Sequence, residues 1–72
     1  MAERIPTADQ ARVLNYVALS DPSPYGADCE DDEWFLEDCA DAGWLKSVRV
    51  EYYLLTEAGR AALERAKAAG VL

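Results

Sequence analysis

The sequence contains no histidine, and residues 21–41 contain neither lysine nor arginine. Without an imidazole, no general base is at hand to activate Ser20, Ser23, Ser47 or a cysteine as a nucleophile. The chain has 7 basic against 14 acidic residues and a net charge of −7, whereas nucleic acid and anionic membranes bind clustered positive charge. These absences predict a protein that is not an enzyme and that contacts neither nucleic acid nor membrane directly.

Cysteine is scarce, with only Cys29 and Cys39 present. Two cysteines without histidine would make an unusual structural zinc site. A disulfide needs Cα atoms within about 7 Å, and ten helical residues would separate the two by roughly 15 Å, so a bridge would require a non-helical segment between them. We interpret both as reduced thiols, which commonly pack as small apolar groups. With no signal-peptide pattern and no long apolar run, this predicts a cytoplasmic protein.

No motif in the sequence predicts a cofactor or a dedicated metal site. Read as an EF-hand loop from Asp28, the acids fall at the first, third and fifth positions. However, Glu33 stands where the loop requires glycine and Cys39 where it requires glutamate. Weak binding of Ca²⁺ or Mg²⁺ by the many carboxylates is the alternative that the sequence leaves open.

Acidic residues outnumber basic residues, and most of them are concentrated in one segment of the chain. Residues 21–41 carry a charge of −9, whereas the other 51 residues carry +2. A concentrated block of one sign produces a strong local potential that acts on partners more than on the fold. We therefore interpret this segment as a partner-binding surface, with a basic protein as the partner. Its proposed contact residues are Asp28, Glu30, Asp31, Asp32, Glu33, Trp34, Glu37, Asp38 and Asp41.

Hydrophobic spacing and turn residues predict a single domain, 1–72, of the α+β class. A chain of this size buries only about 60% of its unfolded surface, which leaves little room for an enclosed active site. The capping-box pattern of Thr7 and Gln10 predicts where the first helix begins. The β-branched and aromatic residues after Trp44 predict two strands that turn near Arg49 and Val50. The predicted elements are a helix at 8–19, a loop at 20–26, a helix at 31–42, strands at 44–48 and 51–55, and a helix at 57–69.

Helical spacing divides the second predicted helix into two faces. Leu36, Cys39 and Ala40 share the inward face, and Gly43 suits a left-handed helix end. The opposite face carries Glu30, Trp34, Glu37, Asp38 and Asp41. Asp31, Asp32 and Glu33 occupy the first turn, where acids also favour the helix dipole.

The two tryptophans have different predicted environments. Trp44 follows Gly43 and is expected in the core beneath the hairpin. Trp34 falls on the acidic face, where an exposed tryptophan is a frequent interface anchor. The alternative is that the helical phase slips in the first turn and the Trp34 ring packs against Tyr16 or Tyr25.

Two segments resemble a known family. Gly43-Trp44-Leu45, followed by two strands and the LTEAGRAAL run of residues 55–63, resembles the second half of a winged-helix domain of the MarR or PadR type. This resemblance covers about a third of the chain; over the first half only the order of elements is similar. It implies a small winged-helix-like fold, α-rich with one two-stranded antiparallel hairpin.

The chain departs from that family at its DNA-reading helix. The winged-helix resemblance implies that the helix before Gly43 enters the major groove with basic or neutral polar side chains. Here residues 31–41 carry acids, and the hairpin offers only Lys46 and Arg49 as bases. A small acidic protein on a DNA-binding scaffold resembles phage anti-CRISPR proteins that mimic DNA. That resemblance rests on size, charge and architecture.

The leading interpretation is a monomeric, non-enzymatic inhibitor of phage type. It would present an acidic helix to the basic nucleic-acid-binding groove of a CRISPR–Cas surveillance complex or a similar host protein, in the host cytoplasm. The first alternative is a winged-helix transcription regulator of phage or plasmid origin that reads DNA as a dimer. The second is an acidic adaptor without mimicry.

Overall fold

The computed structural model describes residues 5–27 and 30–72. Within these ranges the chain forms three helices and one antiparallel two-stranded hairpin, so the predicted α+β class is confirmed. The helix ends differ from the prediction by no more than one residue. Asp28, a predicted contact residue, and Cys29, a predicted free thiol, lie outside the described residues. The elements are α1 Ala8–Ser20, α2 Glu30–Asp41, β1 Leu45–Arg49, β2 Tyr52–Leu55 and α3 Glu57–Ala68.

Helix α1 begins at the predicted capping box. The Gln10 amide donates to the Thr7 hydroxyl oxygen at 3.3 Å, and the Gln10 side-chain oxygen accepts from the Thr7 amide at 3.0 Å. The helix buries Val13, Leu14 and Val17 completely. Because α1 contacts α2, α3 and β2, its apolar face is the surface on which the other elements assemble.

Helix α2 ends in a tight turn that leads directly into the hairpin. Gly43 has a φ of +85°, a conformation that glycine adopts without the steric cost of a Cβ. The Gly43 amide donates to the Ala40 carbonyl at 3.0 Å, and the Trp44 amide donates to the Cys39 carbonyl at 2.9 Å. This pair of bonds is the Schellman arrangement. The turn places Trp44 in the core, where it was predicted, with 4% of its surface exposed.

Thr56 joins the end of α2 to the start of α3. Its hydroxyl donates to the Gly43 carbonyl at 2.7 Å and accepts from the Gly59 amide at 3.0 Å. Its own amide donates to the Trp44 carbonyl at 3.1 Å. One residue therefore caps α3 and ties it to the segment between α2 and β1.

The hairpin turns one residue later than predicted. Arg49 pairs with Tyr52, so the connection is Val50–Glu51 rather than Arg49–Val50. The register shifts between Ser47 and Arg49, which adds one residue to β1 and moves the turn along the chain. Glu51 has a φ of +65°, which glycine or asparagine would normally supply. With neither present, the sequence carried no signal for the position of the turn.

The loop after α1 contributes a short piece to the sheet. Tyr25 and Tyr53 exchange two backbone hydrogen bonds, of 2.9 Å and 3.0 Å. This isolated bridge covers the outer edge of β2 at its centre. The predicted loop therefore adds a backbone pairing that the sequence did not reveal.

Gly59 marks the closest approach of α3 to the rest of the fold. A Cβ at this position would overlap the carbonyl oxygen of Trp44 and would lie 2.9 Å from Cδ1 of Leu55. Alanine therefore cannot be accommodated unless α3 moves away from the turn after α2.

We expect Gly59→Ala to lower the free energy of unfolding by about 1–3 kcal/mol, as overpacking usually does. In an unobstructed helix the same substitution stabilises by roughly 0.5–1 kcal/mol, so the sign of the effect is the test. Urea denaturation measures it. The exposed Ala61→Gly in the same helix is the control and should cost about 1 kcal/mol. A Gly59→Ala variant more stable than the original chain would contradict the close approach.

Candidate partner-binding surface

Helix α2 directs most of its predicted contact residues into solvent. Its inward side chains are Leu36 and Cys39, which are fully buried as the helical spacing predicted. Glu33 is half-buried, whereas the other carboxylates of the outward face are exposed. These exposed acids are Glu30, Asp31, Glu37, Asp38 and Asp41.

Trp34 lies among these acids with 69% of its surface exposed. Of the two environments considered from the sequence, the structure has the exposed one. The rings of Tyr16 and Tyr25 instead pack on each other, with centroids 5.9 Å apart. A large aromatic ring with so much exposed surface stabilises the fold little and is available to a partner.

Asp32 differs from the other acids of α2 because it is paired. Its Oδ1 lies 2.7 Å from Nη1 of Arg12 on α1, and its side chain is only 14% exposed. Nη2 of Arg12 also lies 3.4 Å from Oδ1 of Asp9. The hydrogen bond that Arg12 donates to Asp32 is the main reason that the pKa of Arg12 is raised. Asp32 therefore holds α2 against α1, and its charge is offset.

The guanidinium of Arg12 also lies against two aromatic rings. Its carbon is 5.9 Å from the ring centroids of both Tyr16 and Phe35, within the range of a cation–π contact. Sequence reasoning did not identify Arg12 as part of this surface. The available signal was that Arg12 is the only base between Arg4 and Lys46, in a region with many acids to pair with.

A second group of acids lies where α2 approaches the hairpin. The pKa of Glu33 is raised, chiefly by a hydrogen bond with Glu51 in the turn and by the negative charge of that residue. The pKa of Tyr53 is raised by burial first and then by the charges of Glu37, Glu33 and Glu51. We call Glu33 and Glu37 the hairpin flank of α2. Sequence reasoning missed Glu51, because only the fold brings the turn to α2.

On its other side, α2 forms a groove with α1. A depression of about 420 Å³ is lined by Asp9, Arg12, Asp31, Trp34, Phe35 and Asp38. We call it the α1–α2 groove. A second depression of about 370 Å³ adjoins it through Asp38 and is also lined by Gln10, Asp41 and Ala42. The predicted acidic face is thus two-sided, with Trp34 between the hairpin flank and the groove.

Two kinds of feature are absent from the described part of the chain. In residues 5–27 and 30–72, no group of three or more cysteine, aspartate or glutamate side chains is arranged to hold a metal ion. None of the described helices has the length and apolar character needed to cross a bilayer.

Comparisons with protein-family models, with curated proteins and with solved structures found no match.

The Glu33–Glu51 pair predicts how stability depends on pH. Because the pKa of folded Glu33 is raised above its usual 4.5, the folded state binds more protons than the unfolded state between pH 4.5 and the folded pKa. The favourable contribution of protonated Glu33 to the free energy of unfolding is complete below pH 4.5, and it is lost as pH rises through the folded pKa of Glu33. Glu51→Gln provides an amide group that can donate a hydrogen bond to Glu33, and it removes the repulsion between the two carboxylates. We expect it to raise the melting temperature at pH 7 and to have little effect at pH 4.

Glu64→Gln, which removes one charge from the exposed face of α3, is the matched control. Thermal unfolding of both variants and of the original chain from pH 4 to 7 makes the comparison. A difference between Glu51→Gln and the original chain that stays constant over this range would contradict the raised pKa of Glu33.

Proposed function

We propose that this protein is a non-enzymatic inhibitor that presents α2 to the basic nucleic-acid-binding groove of another protein. The target class is a CRISPR–Cas surveillance complex or a similar host protein, and the origin is a phage. It acts as a monomer in the cytoplasm of the host. The partner is a basic protein surface and not nucleic acid.

The observation that carries the proposal is the unbalanced charge of α2. Seven of its 12 residues are acidic, and none is basic. Among the described ion pairs, only the one between Arg12 and Asp32 reaches this helix. The remaining charges produce a strong negative potential over one exposed helix, which suits a groove lined by lysine and arginine.

The spacing of these charges supports mimicry of a nucleic-acid strand. Residues three or four apart on a helix have Cβ atoms about 5–6 Å apart, similar to the spacing of neighbouring phosphates along a strand. Glu33, Glu37 and Asp41 follow one another at intervals of four residues. Like charges at this interval destabilise a helix by a few tenths of a kcal/mol, so the arrangement is unfavourable for α2 alone and is better explained by a partner.

The exposed hairpin supports a second candidate, a winged-helix regulator that binds DNA. Lys46 and Arg49 are exposed on β1 directly after α2, where a wing would contact phosphates. The acids of α2 would face the same duplex and repel it. An electrophoretic mobility experiment separates the candidates, because a regulator retards duplex DNA and a mimic does not.

We expect the protein alone to leave duplex DNA unretarded and to release duplex from a purified surveillance complex of its host. Replacing Glu37, Asp38 and Asp41 with Gln, Asn and Asn should weaken this release by roughly 3- to 100-fold, because each exposed charge pair contributes about 0.2–1 kcal/mol. The concentration that releases half of the bound duplex is the quantity to measure.

A variant with Glu57→Gln, Glu64→Gln and Ala61→Lys controls for net charge, since it changes the charge by the same amount on the exposed side of α3. It should release duplex as well as the original chain. Retardation of DNA by the protein alone would favour the regulator. Equal loss in both variants would show that net charge, and not α2, is responsible.

Salt gives an independent measure of the same contact. At 0.5 M ionic strength the Debye length is only about 4 Å, so association guided by α2 should slow and weaken steeply as salt rises to that value. Stopped-flow or biosensor kinetics with the identified target would record this change. An affinity that does not depend on salt would instead indicate an apolar interface around Trp34.

A further inference from the structure

We infer that the α1–α2 groove is a binding site for an arginine side chain of the partner protein. This inference rests on the proposed function, since it names the chemical group by which the basic partner is recognised. The groove combines the exposed indole ring of Trp34, the ring of Phe35, the Arg12 guanidinium and three carboxylates in one concave surface. Of these carboxylates, Asp9 is paired with Arg12, which leaves Asp31 and Asp38 for a second cation. The groove's volume of about 420 Å³ falls within the range of small ligand sites.

Arg12 already demonstrates the mode of recognition within the molecule. Its guanidinium is held by the carboxylate of Asp32 at 2.7 Å and lies 5.9 Å from the Phe35 ring centroid. The groove continues from this arrangement with the same kinds of group, namely the Trp34 ring and the carboxylates of Asp31 and Asp38. A second guanidinium bound beside Trp34 would repeat the contacts that Arg12 makes.

The geometry of α2 brings the required groups together. Asp31, Trp34 and Asp38 are spaced by three and four residues, so their side chains lie on one face of the helix. Asp9 approaches from α1 across the groove. No ion pair involving Asp31 or Asp38 is found within residues 5–27 and 30–72. Their charges are therefore available to a cation from outside the chain.

Arginine fits this site better than lysine. A guanidinium is planar, stacks on aromatic faces and bonds carboxylates through two N–H groups at once, whereas an ammonium is a compact and strongly hydrated charge. Tryptophan is also the aromatic side chain that attracts cations most strongly. Glu33 and Glu37 of the hairpin flank do not line this groove, so we do not expect them to distinguish the two cations.

The test uses amidated hexa-arginine and hexalysine peptides as probes of equal length and charge. Both are titrated into the ¹⁵N-labelled protein and followed by NMR, with separate indole N–H signals for Trp34 and the buried Trp44. We expect hexa-arginine to shift the Trp34 indole signal and the amides of Asp31, Phe35 and Asp38, and to bind about two- to fivefold more tightly than hexalysine.

Variants then assign the preference to the groove. Trp34→Ala should reduce the affinity for hexa-arginine to that for hexalysine, and its exposed position means that the fold is kept. Asp31→Asn with Asp38→Asn should weaken both peptides. Glu33→Gln with Glu37→Gln, which removes two charges from the hairpin flank, should leave the arginine preference unchanged.

Equal affinity for the two peptides, or shifts centred on the hairpin flank, would overturn the inference. So would an arginine preference that survives Trp34→Ala. These results are separable from those on the proposed function. If Trp34→Ala does not affect the release of duplex DNA, the proposed inhibition stands and the arginine site is not part of it. If the protein prefers arginine but releases no duplex, the arginine site stands and the proposed inhibition does not.

Discussion

The fold depends on the hydrogen bonds of Thr56, because they tie α2, β1 and α3 to one another. The Thr56 hydroxyl donates to the Gly43 carbonyl and accepts from the Gly59 amide. The Thr56 amide donates to the Trp44 carbonyl. The end of α2, the start of β1 and the start of α3 therefore meet at one residue. Since α2 enters the hairpin through the turn at Gly43, the direction in which its acids point is set here.

Local sequence signals were sufficient for the helix ends and for the buried face of α2. The capping box at Thr7 and the glycine at position 43 each specify a helix end through backbone hydrogen bonds between near neighbours. The inward spacing of Leu36 and Cys39 is likewise a local property, and both side chains are buried. Such features depend on residues within one or two turns, so they can be inferred without knowing the fold.

The candidate surface could be inferred only in part, because its details depend on contacts between distant residues. The pairing of Arg12 with Asp32 spans 20 positions, and the approach of Glu51 to Glu33 depends on where the hairpin turns. The bulge in β1 moved that turn by one residue without a sequence signal. These contacts divide what the sequence presented as one acidic face into a paired residue, a hairpin flank and a groove.

The pairing of Tyr25 with Tyr53 leaves the two strands unequally protected. It occupies the outer edge of β2, whereas within the described chain the outer edge of β1 has no strand beside it. An open edge invites strand addition by a second copy and hence aggregation. Lys46, Arg49 and the bulge between Ser47 and Arg49 all lie on that strand, and charged side chains and bulges are the usual means by which proteins block such pairing. The same irregularity that displaced the turn thus makes the edge of β1 a poorer template for strand pairing.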